Sequence, residues 1–250
     1  MQQSNTYVIV YSAVLTIILG LLLSGSAQLL GPRQQKAIAL DKKKQILGAV
    51  ISAEEIGAMS PDQVNEFYEN NISSIVVDIN GKEITDGGVT AEKVEIAKDY
   101  KKPADQRSYP VFIFHAEGNP AEVKSYILPL YGAGLWDAIW GYIALETDMN
   151  TIAGITLAHA GETPGLGARI TEGEVQARYV GKKIFDESGE LVAVQMMKGE
   201  GKDYSGDEHK VDGMSGATIT GNGVNNMLKA YLTHYEAYIK GKSQSAVAGL

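Results

Sequence analysis

From Met1 to Pro32 no side chain is charged, and the stretch TYVIVYSAVLTIILGLLLSGSAQLL (Thr6 to Leu30) is almost wholly apolar or small. At about 1.5 Å of rise per residue, a helix of this length crosses the roughly 30 Å of a bilayer's hydrocarbon. Tyr7 and Tyr11 stand at its early end, where aromatic rings favour the lipid–water boundary. A cleaved signal peptide would also start apolar, and SGSAQ offers small residues to a peptidase. Such a peptide carries a basic leading segment and a shorter apolar core, and this chain has neither. The expectation is a retained single transmembrane anchor over 1–32. Arg33, Lys36, Lys42, Lys43 and Lys44 follow it, and the positive-inside tendency taken alone would hold that side in the cytoplasm.

Beyond the anchor the chain must form a water-exposed domain. The 250 residues carry a formal net charge of −8, and no basic stretch tracks a phosphate backbone, which argues against nucleic acid as a partner. There is no cysteine. Disulfides, thiolate metal sites, cysteine-held iron–sulfur clusters and cysteine nucleophiles are therefore excluded. His115, His159, His209 and His234 lie far apart without metal-ligand spacing. Redox chemistry in this chain would need an organic cofactor.

Periodicity orders the rest. RQQKAIALDKKKQILGAVIS reads as a helix, and Ser60-Pro61 as the capped start of another, with Val64, Phe67 and Tyr68 inward. This makes 33–70 a helical connector. Extended runs then alternate with turns: SSIVVDINGKEI across Asn80-Gly81, YPVFIFHAEGNPAEVKSYILPL across Gly118-Asn119-Pro120, and IWGYIALETDMNTIAGITLAHA across Asp148-Met149-Asn150. KKIFDESGELVAVQMM reads as a further strand pair across Glu187-Ser188-Gly189. Thr171 is placed as the cap of a short helix through Tyr179, and a last helix is expected from about Gly223 to Ile239. Hairpin-linked strands with flanking helices define an α+β domain over 71–250, an antiparallel sheet rather than βαβ units.

Just before that last helix stands VDGMSGATITGNGV. Gly213-Met214-Ser215-Gly216-Ala217 approaches the nucleophile elbow of a serine hydrolase, but its last position is alanine and the preceding HKVDG is polar rather than a buried strand. GETPGLGAR (Gly161 to Arg169) is glycine-rich, yet lacks the Lys-Ser/Thr of a P-loop. What suits SGAT is an anion such as phosphate, close to small side chains and to the free amides of a helix start. A plain capped turn has the same local sequence.

The wider context resembles a known family. VDGMSGATITGNGV is similar to the flavinylation motif, Asp-Gly-x-Ser/Thr-Gly-Ala-Thr, of the C subunit of the Na+-translocating NADH:quinone reductase. GETPGLGARI resembles that family's Glu-Thr-Pro-Gly-Leu-Gly element, and YGAGLWDAIWGYIALE (Tyr131 to Glu146) its Gly-Leu-Trp…Gly-Tyr element. The single N-terminal span and the length agree as well. The first two elements are shared with the G subunit of the Rnf-type electron-transport complex, while the Gly-Leu-Trp segment and the Asp-Gly-Met-Ser-Gly-Ala-Thr context favour the quinone reductase. Asp137-Ala138 departs from the family's neutral, hydroxyl-bearing residues and leaves the local flavin contacts open.

The resemblance implies FMN held covalently, one per chain, as a phosphoester on Thr218. It implies that Ser215, Gly216 and Ala217 surround the phosphate and that Asp212 orients the loop or holds the magnesium used in attachment. Leu135, Trp136 and Leu166 would cover the isoalloxazine, with Glu162, Thr163 and Gly167 beside it. His159 is expected to be a satisfied strand histidine, and Lys210 a lesser candidate for a phosphate or flavin contact. The implied role is electron relay towards ubiquinone, coupled to sodium export, without NADH oxidation in this chain. Implied partners are the other membrane subunits and, during maturation, a flavin transferase. The resemblance places the flavin domain on the periplasmic face of a bacterial inner membrane, against the charge count. A membrane-anchored, non-catalytic binding module is the alternative from another class.

Overall fold

The computed structural model describes residues 4–85 and 88–248. Within the chain two units separate, Met1–Lys42 and Lys43–Leu250. The first is formed by helix α1 (Asn5–Leu47), which runs on into the second. It is long and apolar enough to cross a membrane, with a mean hydropathy of 2.4 over its most apolar eighteen residues. Pro32 lies inside α1 rather than ending it, so the helix expected from Arg33 onward continues the span. Proline there forfeits one amide hydrogen bond, and the helix continues past it.

In the second unit α2 (Ala53–Ala58) and α3 (Pro61–Asn71) each start with a capping box, Ser52 with Glu55 and Ser60 with Gln63. Each pair satisfies two amides that a helix start would otherwise leave bare. Five antiparallel strands follow, β1 (Ile72–Val77), β2 (Tyr109–Ala116), β3 (Asn119–Ala133), β4 (Ala138–Glu146) and β5 (Ile152–His159), joined as neighbours in sequence order, with the one-turn helix α4 (Ile96–Asp99) between β1 and β2. The α+β antiparallel sheet is thus present.

Alternation along the strands sends side chains to two covered faces. Val111, Leu128, Leu130, Ile143 and Leu157 pack in one cluster with Val224, Leu228, Tyr231, Leu232 and Tyr235 of the last helix, α6 (Thr218–Ala248). Phe112, Ile127, Tyr142 and Ala144 point to the opposite face and are buried too. There Thr156 donates to the Gln45 carbonyl at 3.0 Å, and Trp140 Nε1 to the Gln45 side chain at 3.1 Å.

Several local expectations are corrected. α6 begins five residues before Gly223, so Thr218 is its first residue rather than part of a preceding turn. Gly223 is not a helix breaker here: a Cβ on it would come within 2.5 Å of the Ala133 carbonyl oxygen, and glycine lets α6 lie against the end of β3. Thr171 caps nothing; its hydroxyl donates to the Ala168 carbonyl, and the short α5 (Gly173–Ala177) starts after Glu172. The Asn80-Gly81 and Glu187-Ser188-Gly189 turns form, but each is followed by a single bridge, Val77 to Glu83 and Phe185 to Leu191. Ala193 at φ +58° interrupts the second run, and β6 (Gln195–Met196) pairs in parallel with β7 (Lys210–Val211) instead. The β2–β3 chain reversal closes before Asn119, which already belongs to β3.

Candidate functional site

The turn Met214–Ala217 leads from β7 into α6. The Ala217 amide donates to the Met214 carbonyl at 3.3 Å, and Gly216 takes φ +73°, where a side-chain-bearing residue would be strained. As the opening residues of α6, Thr218, Ile219 and Thr220 have amides with no acceptor inside the helix. Thr218 is half-buried and lines a cleft of about 270 Å³.

Three chain segments form that cleft. Gly216, Ala217, Thr218, Ile219 and Thr220 supply one wall, Glu162, Thr163, Leu166 and Gly167 another, and Leu135 the third. Large apolar side chains stand exposed around it: Leu135 at 43%, Leu166 at 41%, Ile219 at 58% and Trp136 at 70%. Trp136 faces an adjoining cleft with Tyr100, Lys101 and Tyr131, and its Nε1 donates to the Thr163 hydroxyl at 3.2 Å.

Glu162 ties these segments together and is only 4% exposed. One carboxylate oxygen accepts from the Leu135 and Trp136 amides at 2.8 and 3.0 Å. The other accepts from the Thr220 hydroxyl at 2.5 Å. Burial pushes its pKa up, but the Thr220 hydroxyl, the two amides and nearby His159 outweigh burial and hold it below the ordinary carboxylate value. The amide of Glu162 donates to His159 Nδ1 at 3.2 Å, so His159 serves the loop rather than the cleft. A Cβ on Gly134 or Gly167 would overlap a Glu162 carboxylate oxygen, and glycine at both positions makes room for this buried acid.

Eight of the eleven residues singled out from the sequence therefore line one cleft: Leu135, Glu162, Thr163, Leu166, Gly167, Gly216, Ala217 and Thr218. Trp136, Asp212 and Ser215 stand outside it. Asp212 turns its carboxylate to the amides of Gly201 and Lys202, at 2.7 and 3.2 Å, and so fastens the loop before the motif. The Ser215 amide donates to Glu200 at 3.0 Å. Lys210 pairs with Asp207 at 2.7 Å.

Sequence reading missed Ile219 and Thr220, although an apolar residue beside the threonine was visible, and it missed the brace behind the motif. Arg169 forks onto Glu200 at 2.9 and 2.8 Å, and Arg178 donates to the carbonyls of Asp212 and Gly213 at 3.2 and 2.6 Å. Arg169 closes the glycine-rich element, but nothing in the sequence marks Glu200. The Arg169 guanidinium first, then the Ser215 amide, pull the Glu200 pKa from an ordinary 4.5 down to about 2. A lowered folded-state pKa means the brace contributes stability above about pH 4.5 and loses it as pH falls towards 2. Glu200→Gln is expected to be less stable at neutral pH and to lose less than wild type between pH 4.5 and 2, read as urea midpoints of the detergent-solubilised chain. Parallel pH curves for the two would dismiss this assignment.

Small residues beside a helix start, with exposed apolar side chains on both sides, have the chemistry to hold a phosphate with a flat, apolar ring. The fold is that of an FMN-binding domain, and residues 134–233 match the family model of that description. The chain is 32% identical over 247 residues to the C subunit of the Na(+)-translocating NADH-quinone reductase of Pseudomonas aeruginosa, covering 92% of each protein. It is 34% identical to the corresponding protein of Vibrio parahaemolyticus, covering 87% of each. The crystal structure of the C subunit from Parabacteroides distasonis superposes with a TM-score of 0.70 at 35% identity, over 84% of this chain and 96% of that one. The chain belongs to the family of the C subunit of the Na(+)-translocating NADH-quinone reductase.

Proposed function

We propose that this chain is the subunit of a Na+-translocating NADH:ubiquinone reductase that carries FMN on Thr218 and relays electrons during sodium export. The observation that carries the reading is the position of Thr218, first residue of α6, in the lining of a cleft that small and apolar side chains help to wall. In maturation the Thr218 hydroxyl oxygen bonds to the phosphorus on the riboflavin side of FAD. The phosphoanhydride bond breaks, AMP leaves and the hydroxyl proton is released. The first-turn amides of α6 and its positive end favour the phosphate, and Gly216 and Ala217 let it approach the backbone. Leu135, Leu166 and Ile219 offer apolar cover, with Trp136 and Thr163 at the edge. Bound FMN supplies reversible electron uptake and release, and a covalent tether keeps it beside membrane partners.

In this reading the anchor α1 holds the domain at the inner membrane, and the domain lies on the periplasmic face that the family resemblance implies. The reading is tested in cells whose own C subunit has been replaced by this chain. Sodium-stimulated, NADH-driven quinone reduction should appear in everted vesicles and vanish with Thr218→Ala. Protease added to spheroplasts should cut the domain, while everted vesicles should protect it. Restored activity with protection in spheroplasts would reverse the topology; absent activity with copurification of Rnf-type subunits would favour that complex instead.

A further inference from the structure

Among the described residues Glu162 is the one buried carboxylate in the cleft, and both its oxygens are engaged: three donors from two other segments converge on it. Resting on the reading that Thr218 is the attachment point, we infer that Glu162 is a positioning residue for flavin attachment, acting through Thr220 and the Leu135–Trp136 amides rather than by touching flavin. Thr220 lies two residues after Thr218 in the first turn of α6, so fixing its hydroxyl fixes the turn that carries the reacting oxygen. The same carboxylate fixes the loop that supplies Leu135. Two walls of the cleft are thereby registered to a third, the loop carrying Glu162. Glycine at 134 and 167 serves the same arrangement, because a Cβ at either would displace the carboxylate.

Negative charge is not what this role requires. In Glu162→Gln the amide oxygen still accepts from Leu135 and Trp136, and the amide nitrogen can donate to the Thr220 oxygen, reversing only that bond's polarity. Glu162→Ala removes all three bonds and leaves the buried Thr220 hydroxyl and two part-buried amides without this acceptor. Thr220→Val removes only the arm to α6, while Thr220→Ser keeps it.

The test follows the mass gain of the full-length, detergent-solubilised chain with flavin transferase and FAD, as saturating rate and half-saturating chain concentration. Misplacing a reacting group by about 1 Å can cost on the order of a hundredfold, so Glu162→Ala and Thr220→Val should each lose roughly tenfold or more in saturating rate. Half-saturation should stay unchanged, since the transferase still meets the same surface. Glu162→Gln and Thr220→Ser should stay within about threefold of wild type, and the double variant Glu162→Ala/Thr220→Val should be no slower than Glu162→Ala alone, because both remove one connection. Wild-type rates in Glu162→Ala, a Glu162→Gln as slow as Glu162→Ala, or additive losses would each overturn the inference. Should Glu162→Ala fail to fold, the Thr220→Val and Thr220→Ser pair decides, and equal rates would overturn it. A wild-type chain that gains no mass would remove the attachment reading itself, and this inference with it.

Discussion

Thr218→Ala is expected to abolish covalent flavin altogether, while the fold stays intact. Coexpressed with an active flavin transferase, the wild-type chain should gain about 438 Da, the mass of FMN less water, and the variant nothing. The size of the effect follows from chemistry: only the hydroxyl oxygen can form the phosphoester, and alanine has none. The fold should survive because Thr218 is half-buried in the first turn of a long helix, where alanine is a good helix former. Its stability should therefore remain within about 1 kcal/mol of wild type. Ser215→Ala should keep the full mass gain, since the site uses the Ser215 backbone amide, held by Glu200, and the side chain lies exposed outside the cleft. Intact-mass measurement on the three proteins decides the matter. A gain of the same mass in Thr218→Ala would move the linkage to another hydroxyl, with Ser215 and Thr220 the nearest in sequence.

How the sequence could reach this threonine, and where it fell short, follows from the kind of information each feature needs. The apolar span is legible because it depends on composition over a long window, and the sheet because alternation and turn residues are local. Arg33 onward reads as a separate helix because charge returns there, whereas α1 continues through Pro32 as one helix. The run TITGNG reads as a loop because its residues are poor helix formers, whereas Gly223 is there to let α6 close on the Ala133 carbonyl. That contact joins residues far apart in the chain, and no local pattern encodes it. Glu162 shows the same limit differently. Its place in ETPGLG pointed to the site, but a sequence cannot say that the acid turns inward to two amides and a threonine instead of outward to a ligand. Glu200 had no signal at all, since its partners Arg169, Arg178 and the Ser215 amide come from three distant segments.

The second large effect is expected from Gly213→Ala, a single added methyl two residues before Ser215. Residues Val211 to Gly213 lie against the segment after β6, with the Met197 amide donating to the Val211 carbonyl at 3.0 Å. A Cβ on Gly213 would overlap the Met197 carbonyl oxygen and come within 2.5 Å of the Gly199 carbonyl oxygen. Both obstacles are backbone, so no rotamer change relieves them. The Gly213 carbonyl is also held by Arg178 at 2.6 Å, which opposes a shift away from the clash. Overpacking a core commonly costs about 1–3 kcal/mol, and a backbone wall puts this substitution at or above the upper end. Gly216→Ala makes the useful contrast. There the new methyl meets Leu166 Cδ2 at 2.8 Å, the far end of a flexible side chain, and the main cost is the φ of +73°, about 1–2 kcal/mol. In urea, the midpoint of Gly213→Ala should therefore fall clearly below that of Gly216→Ala. Flavin attachment to Gly213→Ala should slow by on the order of a hundredfold, because the turn that carries Thr218 moves with Gly213. If Gly213→Ala unfolded at the wild-type midpoint and accepted flavin at the wild-type rate, the contact with Met197 could not be what requires glycine in the motif.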